Sequence, residues 1–88
     1  MSKAAPSAEL SLDERAVLEH LVRITPAAHN AQDVSEQTGL DVAAAVRSLQ
    51  ELQRRGYVGY GRPTVGERPD TVEYVPTLMG LGLIRTRA

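Results

Sequence analysis

Apolar residues recur every three or four positions between residues 12 and 24, which predicts an amphipathic helix. The apolar positions are Val17, Leu18, Leu21, Val22 and Ile24. Ser11 and Glu14 have the spacing of a capping box, in which the hydroxyl and the carboxylate accept hydrogen bonds from backbone N–H groups at a helix start. The helix should therefore begin near Leu12 and end at Ile24, because Pro26 disfavours a helical conformation in the residue before it.

Two further helical patterns meet at Gly39-Leu40-Asp41. Pro26–His29 is a connector with room for one or two β-bridge residues, and Asn30 is placed to cap the shorter helix. Asp41 is placed to cap the longer helix, and Gly56 to end it. The apolar positions of this longer helix are Val42, Val46, Leu49 and Leu52. A short helix, a turn of about three residues containing Gly and a longer helix form the helix-turn-helix pattern, which is typical of nucleic-acid-binding modules.

After Gly56 the pattern changes from helix to strand. Tyr57–Tyr60 and Thr71–Val75 are rich in strand-forming residues, and the segment between them contains two Gly and two Pro. This composition predicts a β-hairpin whose loop is Gly61–Asp70, with Pro76 ending the second strand. Thr77 is placed to cap a last short apolar segment, which Gly80 and Gly82 should weaken as a helix.

These elements predict a mainly α fold with a small β-hairpin (α+β): three helices, a two-stranded wing and a short C-terminal segment. Residues 1–9 read as a disordered N-terminal tail and residues 10–88 as a single domain. A chain of 88 residues lies near the lower limit of what one core stabilises alone, so good packing or a partner subunit is expected.

Composition excludes several classes of site. The chain has no Cys, so disulfides, thiolate catalysis and cysteine-based zinc sites are ruled out. His20 and His29 are expected to be exposed, and no metal site is predicted. No nucleophile elbow, phosphate loop or dinucleotide fingerprint is present, so neither an enzyme nor a cofactor is predicted. The sequence lacks a signal peptide and a membrane span, which makes a soluble cytoplasmic protein the default expectation.

Positive charge collects in one part of the chain. The formal net charge is −1, but residues 41–68 carry five Arg against three acidic residues. Residues 1–40 carry three basic against six acidic residues. The third helix and the loop after the first strand are therefore the basic part, although a bias of this size also suits an ordinary solvated surface.

The order of elements and several residues at matching offsets resemble a winged helix-turn-helix domain. Gly39 stands at the turn, Leu49 and Leu52 at core positions of the recognition helix, and Gly56 at its C-terminal glycine. The segment 74–80, YVPTLMG, is similar to the Tyr-Leu-Thr-x-x-Gly segment after the wing in bacterial regulators of the multiple-antibiotic-resistance type. Here Pro76 replaces the leucine. The resemblance implies a DNA-binding transcriptional regulator that places its third helix in the major groove of double-stranded DNA.

The resemblance also implies which side chains would contact nucleic acid. They are Arg47, Ser48, Gln50, Arg54 and Arg55 on the third helix, with Arg62 and Arg68 on the wing. The positions directly after the turn are unusual, because Val42, Ala43, Ala44 and Val46 bring no hydrogen-bonding groups to base edges.

Two interpretations of this helix remain open. In the first, the arginines carry DNA binding with modest sequence preference. In the second, the domain is a protein-interaction module in a larger complex and uses the apolar start of the third helix as its contact surface. A homodimer joined through the C-terminal apolar segment is expected with the first interpretation. The candidate partner or dimer residues are Val42, Ala43, Val46, Leu78, Met79, Leu81 and Leu83.

Overall fold

The computed structural model describes residues 10–61, 68 and 71–86 of the chain, except for the side chain of Thr86. The elements in order are α1 (Leu12–Ile24), α2 (Ala31–Thr38), α3 (Val42–Arg54), β1 (Val58–Tyr60), β2 (Tyr74–Pro76) and α4 (Leu78–Thr86). The predicted mainly α fold with a small hairpin is confirmed, and the C-terminal segment is a fourth helix. The predicted tail 1–9 and most of the predicted loop lie outside the described residues.

Short polar side chains fix the starts of the first three helices. The Ser11 hydroxyl accepts from the Glu14 N–H at 3.0 Å, and the Glu14 carboxylate accepts from the Ser11 N–H at 3.1 Å. Asn30 caps α2 in the same reciprocal way with Asp33. The Asp41 carboxylate accepts from the Ala44 N–H at 2.7 Å and so caps α3. These caps lie where the sequence predicted them.

Gly39 makes the turn between α2 and α3. Its φ angle is 85°, in the left-handed region that favours glycine, and its N–H donates to the Ser35 carbonyl at 3.0 Å. Because the turn takes only the three residues from Gly39 to Asp41, α3 begins directly after Asp41, and it packs against both α1 and α2.

The core lies between α1, α2, α3 and the hairpin. Its buried members are Val17, Leu18, Leu21, Ala31, Val34, Ala45, Leu49, Leu52, Val58, Val72 and Tyr74. Leu49 and Leu52 are fully buried, as the pattern on α3 predicted, whereas Val46 is half-buried against the core.

The hairpin is antiparallel, with Val58 opposite Pro76 and Tyr60 opposite Tyr74. The second strand is shorter than the predicted Thr71–Val75 and runs from Tyr74 to Pro76. A proline is tolerated at the end of a strand, since it gives up only one ladder hydrogen bond there. The connector supplies a β-bridge on the other side of the same strand. The His29 N–H donates to the Tyr74 carbonyl at 3.2 Å, and the Tyr74 N–H donates to the His29 carbonyl at 2.8 Å.

Gly80 lets α4 lie directly on the backbone that leaves α3. A Cβ atom at this position would stand 2.2 Å from the Tyr57 carbonyl oxygen and 3.2 Å from Cδ1 of Leu18. Thr77 fixes the start of α4, because its hydroxyl accepts from the Gly80 N–H at 3.2 Å and donates to the Gly56 carbonyl at 2.6 Å. Gly80 therefore stabilises the packing of α4, whatever it costs in helix propensity.

Candidate nucleic-acid interface

One face of α3 is open to solvent along its whole length. Its exposed positions are Val42, Ala43, Arg47, Gln50 and Arg54, and those that face inward are Ala44, Ala45, Ser48, Leu49 and Leu52. Residues 43, 47, 50 and 54 follow one another at intervals of three or four, so they form a single stripe on the helix surface. The apolar first turn is therefore not covered on its outer side by any described part of this chain.

Arg47 and Gln50 occupy the middle of this stripe. Neither side chain makes a hydrogen bond or an ion pair with any residue that the structure describes. An unpaired guanidinium and an unpaired carboxamide offer donors, and the carboxamide also offers an acceptor. The centre of α3 therefore presents hydrogen-bonding groups that no described neighbour uses.

Arg54 continues the stripe but has a partner on its own helix. Its Nε donates to Glu51 at 3.0 Å, and the side chain remains 72% exposed. The hydrogen bond to Arg54 lowers the pKa of Glu51, and the same bond raises the pKa of Arg54. Because exposed ion pairs contribute little, Arg54 can exchange this carboxylate for another anion at small cost.

Arg55 differs from Arg54 because it faces the protein. Its Nη1 lies 3.4 Å from Oε1 of Glu14, and the two side chains are only 16% and 17% exposed. The guanidinium also lies 5.7 Å from the centre of the Tyr57 ring. Arg55 therefore fastens the end of α3 to the first turn of α1.

Ser48 lies on the inner side of α3 with 5% of its surface exposed. It lines a groove between the first turn of α1 and the middle of α3, together with Asp13, Glu14, Arg47 and Glu51. The three carboxylates in this groove reduce the positive potential around Arg47. Burial leaves the Ser48 hydroxyl without access to a ligand in the major groove.

The hairpin contributes one exposed aromatic side chain. Tyr60 is 50% exposed, and its ring lies 5.7 Å from that of buried Tyr74. Of the two wing arginines singled out from the sequence, Arg68 is exposed, and Arg62 lies outside the described residues.

The sequence prediction for the two histidines was wrong for His20. Its side chain is only 4% exposed, and its Nε2 lies 3.0 Å from Nδ1 of His29. Burial lowers the pKa of His20, with smaller contributions in the same direction from His29 and Arg23 and an opposing one from Asp33. The signal was present in the sequence, because position 20 follows Val17 by three and precedes Leu21, both on the apolar stripe of α1.

The candidate partner residues on α4 fall into two groups. Leu78 is 86% exposed and Met79 is 57% exposed, whereas Leu81 and Leu83 are half-buried, with Leu83 packed on the core. The exposed apolar surface of α4 is therefore concentrated in its first turn.

Among the described residues, no group of three or more His, Asp or Glu side chains is placed to hold a metal ion. Within the same residues, no helix is long and apolar enough to cross a membrane.

The fold and the exposed face of α3 define a winged helix-turn-helix domain. The model of the IclR helix-turn-helix domain family matches residues 16–62, which is more than half of the chain, and the chain belongs to this family. The match begins in α1 and ends just after β1, so it contains the whole of α2, the turn and α3.

Two solved structures have a similar fold. A MarR family regulator from Neisseria meningitidis superposes with a TM-score of 0.72 and 15% identity, over 89% of this chain and 52% of that one. A mutant of ZitR from Lactococcus lactis superposes with a TM-score of 0.74 and 21% identity, over 99% of this chain and 56% of that one. The chain thus spans about half the length of each. No curated protein matches the sequence.

Family membership places the chain among the DNA-binding domains of transcriptional regulators and not among the enzymes, as the sequence predicted. The family model is of the IclR type, whereas the solved structures include a MarR family regulator, the type that the sequence resembled.

Proposed function

We propose that this domain binds duplex DNA by placing the exposed face of α3 in the major groove. The observation that carries the proposal is the pair Arg47 and Gln50, whose polar groups point outward with no partner among the described residues. Arg forms bidentate hydrogen bonds with guanine, and Gln forms them with adenine. Arg47 and Gln50 are therefore the proposed base-reading residues.

Arg54 and the wing arginines are proposed to contact phosphates. Arg54 lies at the exposed end of the same stripe, and Arg68 is exposed on the hairpin side. Arg62 shares the wing in sequence and is retained as a proposed contact. Ser48 and Arg55 are left out, because one is buried and the other holds α1 to α3.

The affinity of such an interface should depend strongly on salt. Each phosphate neutralised by an arginine contributes about −0.9 to the slope of log K against log salt concentration. With Arg54, Arg62 and Arg68 on phosphates, the slope should be roughly −3. Since the chain carries a net charge of −1, this binding depends on the local arginines and not on the overall charge.

A fluorescence anisotropy titration tests the proposal. A labelled duplex of random sequence is titrated with the full chain at low and at moderate salt. Binding should be clear at low salt and should weaken as salt rises. The variant Arg47→Ala should bind a selected site more weakly, whereas Arg23→Ala, which removes an exposed arginine from α1, should bind as the unmodified chain does. Absence of binding at low salt would overturn the proposal.

We further propose that the protein acts in the cytoplasm as a homodimer formed through the first turn of α4. Leu78 and Met79 expose apolar surface there, and a two-fold dimer would present two α3 helices to a pseudo-palindromic site. Light scattering at tens of micromolar tests this: the unmodified chain should have the mass of a dimer, and Met79→Lys that of a monomer. A monomer for the unmodified chain would exclude the dimer.

The exposure of Val42 and Ala43 supports a second candidate function, in which they and half-buried Val46 contact another protein. Val42→Asp discriminates the two functions. It should abolish association with a protein partner under this alternative, and it should mainly alter DNA affinity under the first proposal.

A further inference from the structure

The first turn of α3 offers a different chemistry from the rest of its exposed face. Val42 is 36% exposed and Ala43 is exposed, so both present methyl groups to solvent. The N–H of Ala44 is already engaged by the Asp41 carboxylate at 2.7 Å. This end of the helix therefore presents two apolar side chains beside a carboxylate that already engages one of the first-turn N–H groups.

The same features indicate what this turn can approach. A helix start ordinarily attracts anions, but the negative charge of Asp41 occupies this one and repels a phosphate. The turn is therefore suited to base edges and not to the DNA backbone. Among the four bases, the apolar group displayed in the major groove is the C5 methyl of thymine. A methylated cytosine carries a methyl group at the same ring position.

The turn is also continuous with the proposed base-reading residues. Ala43 lies one helical turn before Arg47 on the same exposed stripe, about 6 Å along the helix axis. Successive base pairs are about 3.4 Å apart, so the two side chains would lie above base pairs about two steps apart. A purely apolar protein surface laid on Ala43 would also have to approach the guanidinium of Arg47, which lies on the same stripe, and this favours DNA as the occupant.

We propose that Val42 and Ala43 read the C5 methyl group of a pyrimidine about two base pairs from the base that Arg47 contacts. The inference rests on the proposed DNA binding and adds the chemical class that the first turn selects. Thymine and 5-methylcytosine are accepted there, and uracil and unmethylated cytosine are disfavoured. Burial of one methyl group contributes a factor of roughly four in affinity.

The test uses a site selected from a random duplex library by the full chain at moderate salt. Each thymine of that site is replaced in turn by deoxyuridine, which removes only the methyl group. We expect a loss of roughly fourfold at one or two positions near the contacted guanine and no change elsewhere. Where a cytosine is placed at the sensitive position, 5-methylation should raise the affinity by a similar factor.

Two variants test whether Val42 causes the preference for thymine over deoxyuridine. Val42→Ala removes two methyl groups without lowering helix propensity and should abolish most of the difference between thymine and deoxyuridine. Leu12→Ala removes an exposed apolar side chain from α1, outside both proposed interfaces, and should keep the full difference.

Each possible failure has a distinct meaning. If the unmodified chain binds the selected site but gives equal affinity for thymine and deoxyuridine at every position, the inference is overturned and the proposed DNA binding stands. A full thymine preference in Val42→Ala would likewise overturn it. If no duplex binds at low salt, the proposed function itself fails, and the exposed turn would have to serve a protein partner.

Discussion

The imidazole Nε2 of His20 lies 3.0 Å from Nδ1 of His29, with the two ring centres 5.1 Å apart. One ring belongs to α1, and the other to the connector that forms a β-bridge with Tyr74. The pair therefore ties the first helix to the hairpin. A hydrogen bond between two imidazoles needs one proton between the facing nitrogens, so the pair tolerates neutral rings or a single positive charge and opposes two.

This pair should make stability depend on pH. Because the pKa of His20 is lowered in the folded protein, the unfolded chain binds its proton at a higher pH than the folded chain does. The free energy of unfolding should therefore be highest above the ordinary pKa of 6.5 and should decrease as the pH falls below it, until the pH reaches the lowered pKa of the folded state.

Urea unfolding between pH 8 and pH 5 measures this dependence. His20→Gln should be less stable than the unmodified chain at pH 8, because it alters the partly buried hydrogen bond to His29. Between pH 7 and pH 5.5 it should lose less stability than the unmodified chain does. Added salt should leave this difference in pH dependence between the two proteins largely unchanged, since buried groups are screened less than surface groups. Parallel pH profiles for the two proteins would contradict the prediction.

Arg47 and Arg55 should have opposite phenotypes although both are arginines on or next to α3. Arg55→Gln leaves the mostly buried Glu14 without its cation and should reduce the free energy of unfolding by about 1–3 kcal/mol. Arg47→Gln should leave stability nearly unchanged and weaken binding to a selected site by about 1–3 kcal/mol. Chemical unfolding measures the free energy of unfolding of each variant, and anisotropy titrations measure its affinity for the selected site. Equal loss of stability in the two variants would show that Arg47 has a structural role.

Gly80 and Gly82 form a matched pair for testing the packing of α4. A Cβ at Gly80 would overlap the Tyr57 carbonyl oxygen, whereas a Cβ at Gly82 meets nothing within 4 Å. Gly80→Ala should therefore destabilise the protein by about 1–3 kcal/mol. Gly82→Ala should raise stability by up to about 1 kcal/mol through helix propensity. Thermal unfolding of both variants checks this, and similar melting temperatures would mean that α4 does not pack on Tyr57.

The sequence predicted the fold well where local signals and packing agree. The caps Ser11, Asn30 and Asp41 and the turn glycine Gly39 act within a few residues, so their positions could be read directly. The second strand was placed less well, because its pairing depends on residues far away in the chain. Tyr74 is held by Tyr60 on one side and by His29 on the other, and no local pattern encodes both.

The candidate site, like the fold, could be predicted only where the signal is local in the sequence. Periodicity indicated that α3 has a buried side, but it did not separate Arg54 from Arg55. Whether each faces solvent or Glu14 is decided by the packing of α1 against α3. The hydroxyl of Ser48 suits an interface chemically, yet its position on α3 places it beside Leu49 on the buried side.

The wing should contribute affinity without sequence preference. Arg68 is exposed next to the hairpin, and a phosphate contact from this position would be equally available on any duplex. Arg68→Glu should therefore weaken binding to a selected site and to random duplex by the same factor, and should make the salt slope shallower by about 1. Arg23→Glu applies the same charge change to α1 and should leave the slope unaltered. Titrations of both duplexes at three salt concentrations measure these quantities. If Arg68→Glu weakened only the selected site, Arg68 would be reading bases; if neither affinity nor slope changed, Arg68 would have no part in the interface.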